Sequence, residues 1–342
     1  MKKLFVGLLG IAAIALAAWF ALPLWPATIP AEGVSLSVRQ GSSLTRLATE
    51  VERLEIAPSL VVQAVARIRG SARKLRAGEY LFESPQTVAD ILAAIESGNA
   101  QRLAVTTVEG SRLSDLYASL STMPSDGVAT FAANSLPPRA ELKQALATDV
   151  NDLEGYFFPD TYFVAPGSSA KSLLKLMHKR MKEELARAWE QRAADTPLKS
   201  PYEALILASI IEKETGRDAD RPLVGSVFVN RLRIGMRLQT DPTVIYGLGE
   251  KFDGNLRKVD LQTDTPYNTY TRSGLPPTPI ALAGAAVIRA TAHPEKTDAL
   301  YFVASTTEDG SHVFSATLEQ HNAAVAAYVA HQRHKAAQEG SR

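Results

Sequence analysis

The chain has 342 residues, of which 46% are hydrophobic and 21% charged, and its formal net charge is +1. That length allows two or three modest domains with a sizeable core, and a near-neutral balance gives no electrostatic reason to expect nucleic acid as a partner. There is no cysteine, which excludes disulfides, thiol catalysis and cysteine-held metal.

The N-terminus carries Lys2 and Lys3 and then runs without a charge from Leu4 to Trp25. About 20 apolar residues cross a bilayer as a helix. The two lysines place the N-terminus on the cytoplasmic side by the positive-inside rule, and Trp19 and Trp25 suit the far interface. The competing reading is a cleaved signal peptide, whose apolar region of about 7–15 residues is shorter than this run. Residues 1–3 are then a cytoplasmic stub, 4–25 a transmembrane anchor, and 26–33 ("PATIPAEG") a linker. On either reading the rest of the chain is expected beyond the cytoplasmic membrane.

Residues 34–103 read as a small β-α-α-β domain. Val34, Leu36 and Val38 alternate as in a strand. Ser42 or Ser43 caps a helix whose apolar face is Leu44, Leu47, Val51 and Leu54. "SLVVQAVARIR" is a second helix, "AGEYLFE" a strand, and "TVADILAAIESGN" a helix capped by Thr87 and closed near Gly98. The opening, strand then Gly-Ser then Leu-x-x-Leu, resembles a LysM domain, a glycan-binding module. It returns weakly in "TVEGSRLSDL" (Thr107–Leu116), within a connecting α/β region, 104–150. A plainer account of the echo is that strand–turn–helix junctions look alike.

From Asn151 to Arg342 the texture changes. "LEGYFFPDTYFVAPG" is aromatic and contains a Pro-Asp turn. A long amphipathic helix is predicted over Ser169–Ala193, with Leu173, Leu176, Met177, Met181, Leu185 and Trp189 at helical spacing. "SPYEALILASIIEKET" reads as a helix with Ser200 as N-cap, and "DRPLVGSVFVNRLRIG" as another ending at Gly235. Two polar, Pro-rich loops follow, then "DALYFVAS" and "HVFS" as paired strands. A final helix opens on a Thr-x-x-Gln capping box.

Glu212 and Glu214 flank Lys213 at the end of the first of these helices. At about 100° per residue they lie about 200° apart, so both cannot face one cleft. Glu214 lies over Ile211, Ile210 and Leu207, while Glu212 is expected at a polar edge beside Lys213. Glu214 is then the more desolvated acid, and desolvation keeps a carboxyl protonated, as a general acid requires. Taken alone, such a pair is more often a solvated helix end.

"LEGYFFPDTY", "LASIIEKET", "FVNRLRIGMRLQTDPTVIYGLG", "YNTYTRSGLPP" and "AHPEKTDALYFVA", in this order, resemble the YceG-like (MltG) family of endolytic murein transglycosylases. The resemblance runs from about Gly33 to the final helix, and includes the anchor and the LysM-like region. It implies an α+β protein with an N-terminal transmembrane helix, a small β-α-α-β LysM-like domain and a mixed α/β catalytic domain, 151–342. Such an enzyme is single-pass in the inner membrane, with its catalytic domain in the periplasm, and cuts nascent peptidoglycan strands between MurNAc and GlcNAc. Peptidoglycan synthases are the candidate protein partners. The family's catalytic acid, the second of the Glu-x-Glu pair, falls on Glu214, which agrees with the wheel.

Gln239, Thr240 and Asp241 lie on one polar turn, and Asn268 and Tyr270 on a second loop. They are the candidate substrate-binding residues, with Asp241 as an electrostatic partner of Glu214; the plainer readings are an N-cap for Asp241 and loop packing for Tyr270. Arg231, Arg233 and Arg237 would meet substrate carboxylates, or simply be solvated. The six histidines show no HExxH-like spacing, so no metal is predicted. No other cofactor is expected. A non-catalytic glycan-binding scaffold that recruits cell-wall synthases is the alternative function.

Overall fold

The computed structural model describes residues 21–30, 34–39, 41–82, 86–98, 103–122, 139–146, 152–164, 169–307 and 309–339. They divide into two compact units. The first holds the described residues up to Val105 with Tyr162–Val164 and Ser169; the second holds those of 106–122, those of 139–161 and those from Ala170 onward. Most of the expected span Leu4–Trp25 lies outside the described residues. Among those described, no helix is long and apolar enough to cross a membrane.

The first unit contains strands β1 (Pro26–Ala27), β2 (Val34–Val38), β3 (Gly78–Phe82) and β4 (Gln86–Thr87), with helices α1 (Leu44–Arg53), α2 (Ser59–Arg69) and α3 (Val88–Ser97). β2 pairs antiparallel with β3, from Val34↔Phe82 to Val38↔Gly78. Period-2 alternation turns Leu36, Val38, Tyr80 and Phe82 inward. Ser43 caps α1 by accepting from the Arg46 amide, and Leu47, Ala48 and Val51 bury its apolar face. α3 has a capping box between Thr87 and Asp90 and ends at Gly98, whose φ of 72° suits glycine. Two helices between paired strands give the β-α-α-β arrangement. The stretch expected to be a linker is partly built into this unit: β1 pairs with β4, the Thr28 amide donates to Ile56 O at 2.8 Å, and Ala27 is buried. Prolines and glycine in "PATIPAEG" indicate a break in regular structure, but not pairing with residues 60 positions away.

β5 (Leu103–Thr106) pairs with β6 (Thr161–Val164). The second unit adds α4 (Leu113–Ser121), α5 (Arg139–Ala145), α6 (Ala170–Glu190), α7 (Pro201–Glu214), α8 (Arg221–Arg233), α9 (Asp241–Leu248), α10 (Lys258–Gln262) and α11 (Ala285–Ala292). The hairpin β7 (Tyr301–Ala304) and β8 (His312–Ser315) and the long α12 (Leu318–Glu339) complete it. Residues 106–122, expected to be a connector, belong to this unit: Gly110 N donates to Leu282 O and Leu282 N to Ser111 O.

α7 is the central helix. Every residue from Ala204 to Ile211 is buried, as expected of a helix apolar all round, and α6, α8, α9 and α11 all pack on it. Ser200 caps it by accepting from the Glu203 amide, with Pro201 in its first turn. Gly225 lets α8 approach α11 closely: a Cβ there would lie 3.2 Å from Ala290 O and 3.4 Å from Ile211 Cδ1.

Candidate active site

α7 ends at Glu214, with Thr215 already in extended conformation. Glu214 forms part of the floor of an open cleft of about 390 Å³, lined also by Arg231, Gln239, Asp241, Tyr270, Tyr301, Phe302, Leu318 and His321. Burial pushes the Glu214 carboxyl above its ordinary range, and the Asp241 charge pushes the same way. A hydrogen bond from Thr240 and the charges of His312 and Arg231 oppose them. The balance raises the Glu214 pKa.

The two acids of the "EKET" end diverge as the wheel required, but the wheel misplaced one of them. Glu212 is not at a polar edge; its side chain is only 5% exposed. Its Oε2 accepts from the Gly284 amide at the start of α11, at 2.8 Å. Its Oε1 meets Arg221 Nη2 of α8 at 3.4 Å. A helix enclosed by its neighbours has no polar edge, so Glu212 is buried against partners from other elements. Lys213 donates to Gly110 O at 3.2 Å. Glu212 and Lys213 thus tie the last turn of α7 to its surroundings.

Of the residues expected to bind substrate, Gln239, Asp241 and Tyr270 line the cleft with Glu214. Gln239 has φ 48°, a left-handed conformation uncommon outside glycine, and such strain collects at functional positions. Asp241 is not the cap of α9. Thr240 occupies that position, without a side-chain cap bond, and Asp241 opens the helix and accepts from the Tyr270 hydroxyl at 2.6 Å. Burial, then this neighbouring carboxylate, keeps Tyr270 a phenol by raising its pKa.

The other two candidates point elsewhere. Thr240 is 2% exposed, and its hydroxyl donates to Glu214 Oε1. Asn268 is fully buried; its amide donates to Asp260 O, Leu261 O and Thr263 O, and its Oδ1 accepts from Tyr270 N. Asn268 therefore shapes the loop that carries Tyr270 rather than facing the cleft.

Arg231 is the residue the sequence undervalued. It is 7% exposed, donates to Leu300 O and Leu238 O, and lies 5.4 Å from the centre of the Tyr301 ring. His321 stacks on Tyr301 at 5.2 Å. The cleft wall therefore layers Arg231, Tyr301 and His321, and burial followed by the Arg231 charge lowers the His321 pKa and keeps its imidazole neutral. The helical spacing of Arg231 with Val224, Val227 and Phe228 was the signal available. Arg233 instead pairs with Asp195, and Arg237 donates to Tyr270 O. Among the described residues, no cluster of His, Asp and Glu is placed to hold a metal ion.

One acid whose pKa is raised by burial thus lies in an open cleft with polar and aromatic walls. The model of the YceG-like family matches residues 36–327, and the chain belongs to that family. An endolytic murein transglycosylase of Bacillus subtilis (strain 168) is 33% identical over 319 residues, covering 88% of this chain and 86% of the relative. An endolytic murein transglycosylase of Streptococcus pneumoniae serotype 2 (strain D39 / NCTC 7466) is 27% identical over 326 residues, covering 86% of this chain and 58% of the longer relative. A crystal structure of a YceG-like protein from Listeria monocytogenes aligns with a TM-score of 0.53 at 31% identity, covering 86% of this chain and 99% of that one.

Proposed function

We propose that this protein is an endolytic murein transglycosylase in which Glu214 is the single acid–base residue. The observation that carries the residue assignment is the burial of Glu214 on the floor of the cleft. Glu214 gives its proton to the oxygen linking MurNAc to GlcNAc, and the bond from MurNAc C1 to that oxygen breaks. The resulting carboxylate takes the proton of the C6 hydroxyl of the same MurNAc, whose oxygen bonds to C1. The products are a 1,6-anhydroMurNAc end and a new GlcNAc end, and no water is consumed. Because the nucleophile is intramolecular, orientation supplies much of the rate.

Asp241 supports the positive charge that develops on the sugar. Its carboxylate lines the cleft and is held by Tyr270 rather than spent on a helix cap. Asp241→Asn is expected to lower kcat about tenfold or more, equivalent to ~1.4 kcal/mol of transition-state stabilisation, with glycan binding and melting temperature unchanged. Asn offers the same oxygen to Tyr270. Full activity with an unaltered melt would remove Asp241 from the reaction.

Glu212 works on the fold. Glu212→Gln keeps an acceptor for Gly284 N but weakens the bond to Arg221. It should cost about 1–3 kcal/mol of stability while cleavage stays within about tenfold of the parent. Parallel melts and product assays check this.

One observation keeps a second reading, a glycoside hydrolase, in view: the second carboxylate that such chemistry needs is available in Asp241. Mass spectrometry of digested glycan strands decides. Anhydro ends support the transglycosylase, reducing ends the hydrolase, and intact strands a glycan-binding scaffold.

The placement in the cell follows from the charge-free run Leu4–Trp25 behind Lys2 and Lys3: a single-pass inner-membrane anchor with both units in the periplasm. The first unit, with its β-α-α-β arrangement and a small polar recess at Arg39, Ser42, Arg46 and Glu50, is read as LysM-like and glycan-holding. Peptidoglycan synthases are the protein partners this placement suggests.

A further inference from the structure

We propose that Thr240 is a positioning residue that fixes which oxygen of Glu214 carries the transferable proton. The inference rests on Glu214 being the general acid, as argued above. A carboxylic acid can hold its proton on either oxygen, but only a proton directed into the cleft reaches the glycosidic bond. Thr240 Oγ1 donates to Glu214 Oε1, leaving Oε2 as the oxygen for the substrate.

The surroundings of Thr240 leave it little choice of partner. Its amide donates to Thr269 Oγ1 at 3.1 Å, and its carbonyl accepts from Thr243 Oγ1 at 2.8 Å. Thr243 and Thr269 hydroxyls lie 2.9 Å apart, and the Gln239 amide donates to Thr269 O at 3.2 Å. Thr240, Thr243 and Thr269 are 2%, 0% and 3% exposed, so water does not compete. A buried hydroxyl has one proton to give. Were the Glu214 proton on Oε1, Thr240 would have to accept it and its own proton would be stranded, an arrangement proteins avoid. With the proton on Oε2, Thr240 keeps donating to Oε1 through both halves of the reaction, as Oε2 gives one proton and takes the next.

The same bond has a second effect. A donor to the ionised carboxylate stabilises that form, so Thr240 acts against burial and against the Asp241 charge, together with Arg231 of α8 and His312 of β8. Tyr270 also interacts with Glu214, and Tyr301 and His321 line the same cleft. Loss of the hydroxyl alone should move the titration of Glu214 upward.

The test uses the full chain on purified glycan strands, with kcat, KM and pH profile measured for Thr240→Val and Thr240→Ser. Thr240→Val is expected to lower kcat by about 10- to 100-fold, less than the full contribution of a general acid, with KM within about twofold. The high-pH limb of its kcat profile should shift upward. Thr240→Ser, which keeps the hydroxyl, should stay close to the parent in all three. A Val variant with parental kcat and limb overturns the proposal, as does a Ser variant as impaired as Val. If Val fails to fold, Thr240→Ala replaces it against Ser; unfolding of both Val and Ala assigns Thr240 to the fold and also overturns the proposal. If the parent yields reducing ends, the transglycosylase reading fails while the Thr240 comparison still reports on the acid. If it yields anhydro ends and Val is unimpaired, the Thr240 proposal fails alone.

Discussion

Glu214→Gln is expected to fold normally and to lose strand cleavage by about 10²–10⁴-fold or more, the contribution of a positioned general acid. The amide has the shape of the acid, and its oxygen still accepts from Thr240. It cannot donate an acidic proton and then take one back. The same substitution has a predicted sign in stability. Burial raises the folded-state pKa of Glu214 above its ordinary value of 4.5. The stability linked to this group is therefore fully present below that value and is lost as pH rises through the raised one. Glutamine does not titrate, so the variant should melt at or above the parent at neutral pH, with a gap that grows from acid toward alkaline solution and closes at low pH. Melting series at several pH values, beside product analysis on the same samples, measure both effects. An inactive Glu212→Gln with an active Glu214→Gln would reverse the assignment of the two acids.

Much of this architecture was legible because local signals and tertiary packing agree. Ser200 before Pro201, the apolar run of α7 broken only by Ser209, and Gly98 at the end of α3 each mark the helices in the sequence. The β7–β8 hairpin and the Thr317–Gln320 capping box at the start of α12 were also readable. Direction was harder to read than position. Polar loop residues look alike in a sequence, yet Gln239 opens to the cleft while its neighbour Thr240 turns inward to an acid 26 positions earlier. Asn268 and Tyr270, two residues apart, divide in the same way.

Glu212 and Arg231 were misread for a related reason. A helical wheel assigns polarity as if the helix had a solvent side, and α7 has none along its buried run. The partners of Glu212, Arg221 and Gly284, are 9 and 72 positions away. Arg231 sits near Arg233 and Arg237, and only the carbonyls of Leu238 and Leu300 with the Tyr301 ring distinguish it from a solvated arginine. In both cases a charge is buried by partners the local sequence cannot show.

Gly155→Ala is expected to be the most damaging single-methyl change in the second unit. Gly155, in "LEGYFFPDTY", has φ 80°, a left-handed conformation that costs a residue with Cβ about 1–2 kcal/mol. The added Cβ would lie 2.5 Å from Pro279 Cβ and 2.8 Å from Pro279 Cγ. A proline ring cannot swing aside as a flexible side chain can, and overpacking of this kind costs about 1–3 kcal/mol. Together the two effects cost about 2–5 kcal/mol, a large share of the roughly 5–15 kcal/mol that holds a typical domain folded. At about 2–4 °C per kcal/mol for a unit of this size, Tm should fall by about 4–20 °C. The damage would also reach α7, because Ile280 N donates to Ser209 Oγ of that helix at 2.9 Å and Pro279 directly precedes it. Cleavage by Gly155→Ala should therefore fail at a lower temperature than that of the parent. Gly216→Ala is the matched control: nothing lies within 4 Å of its added Cβ and its φ is outside the left-handed range, so its melt should move by no more than about 0.5 kcal/mol in stability. Equal melting of the two variants would mean that residues 279–281 yield to the methyl group and that the turn at Gly155 is not what holds them against α7.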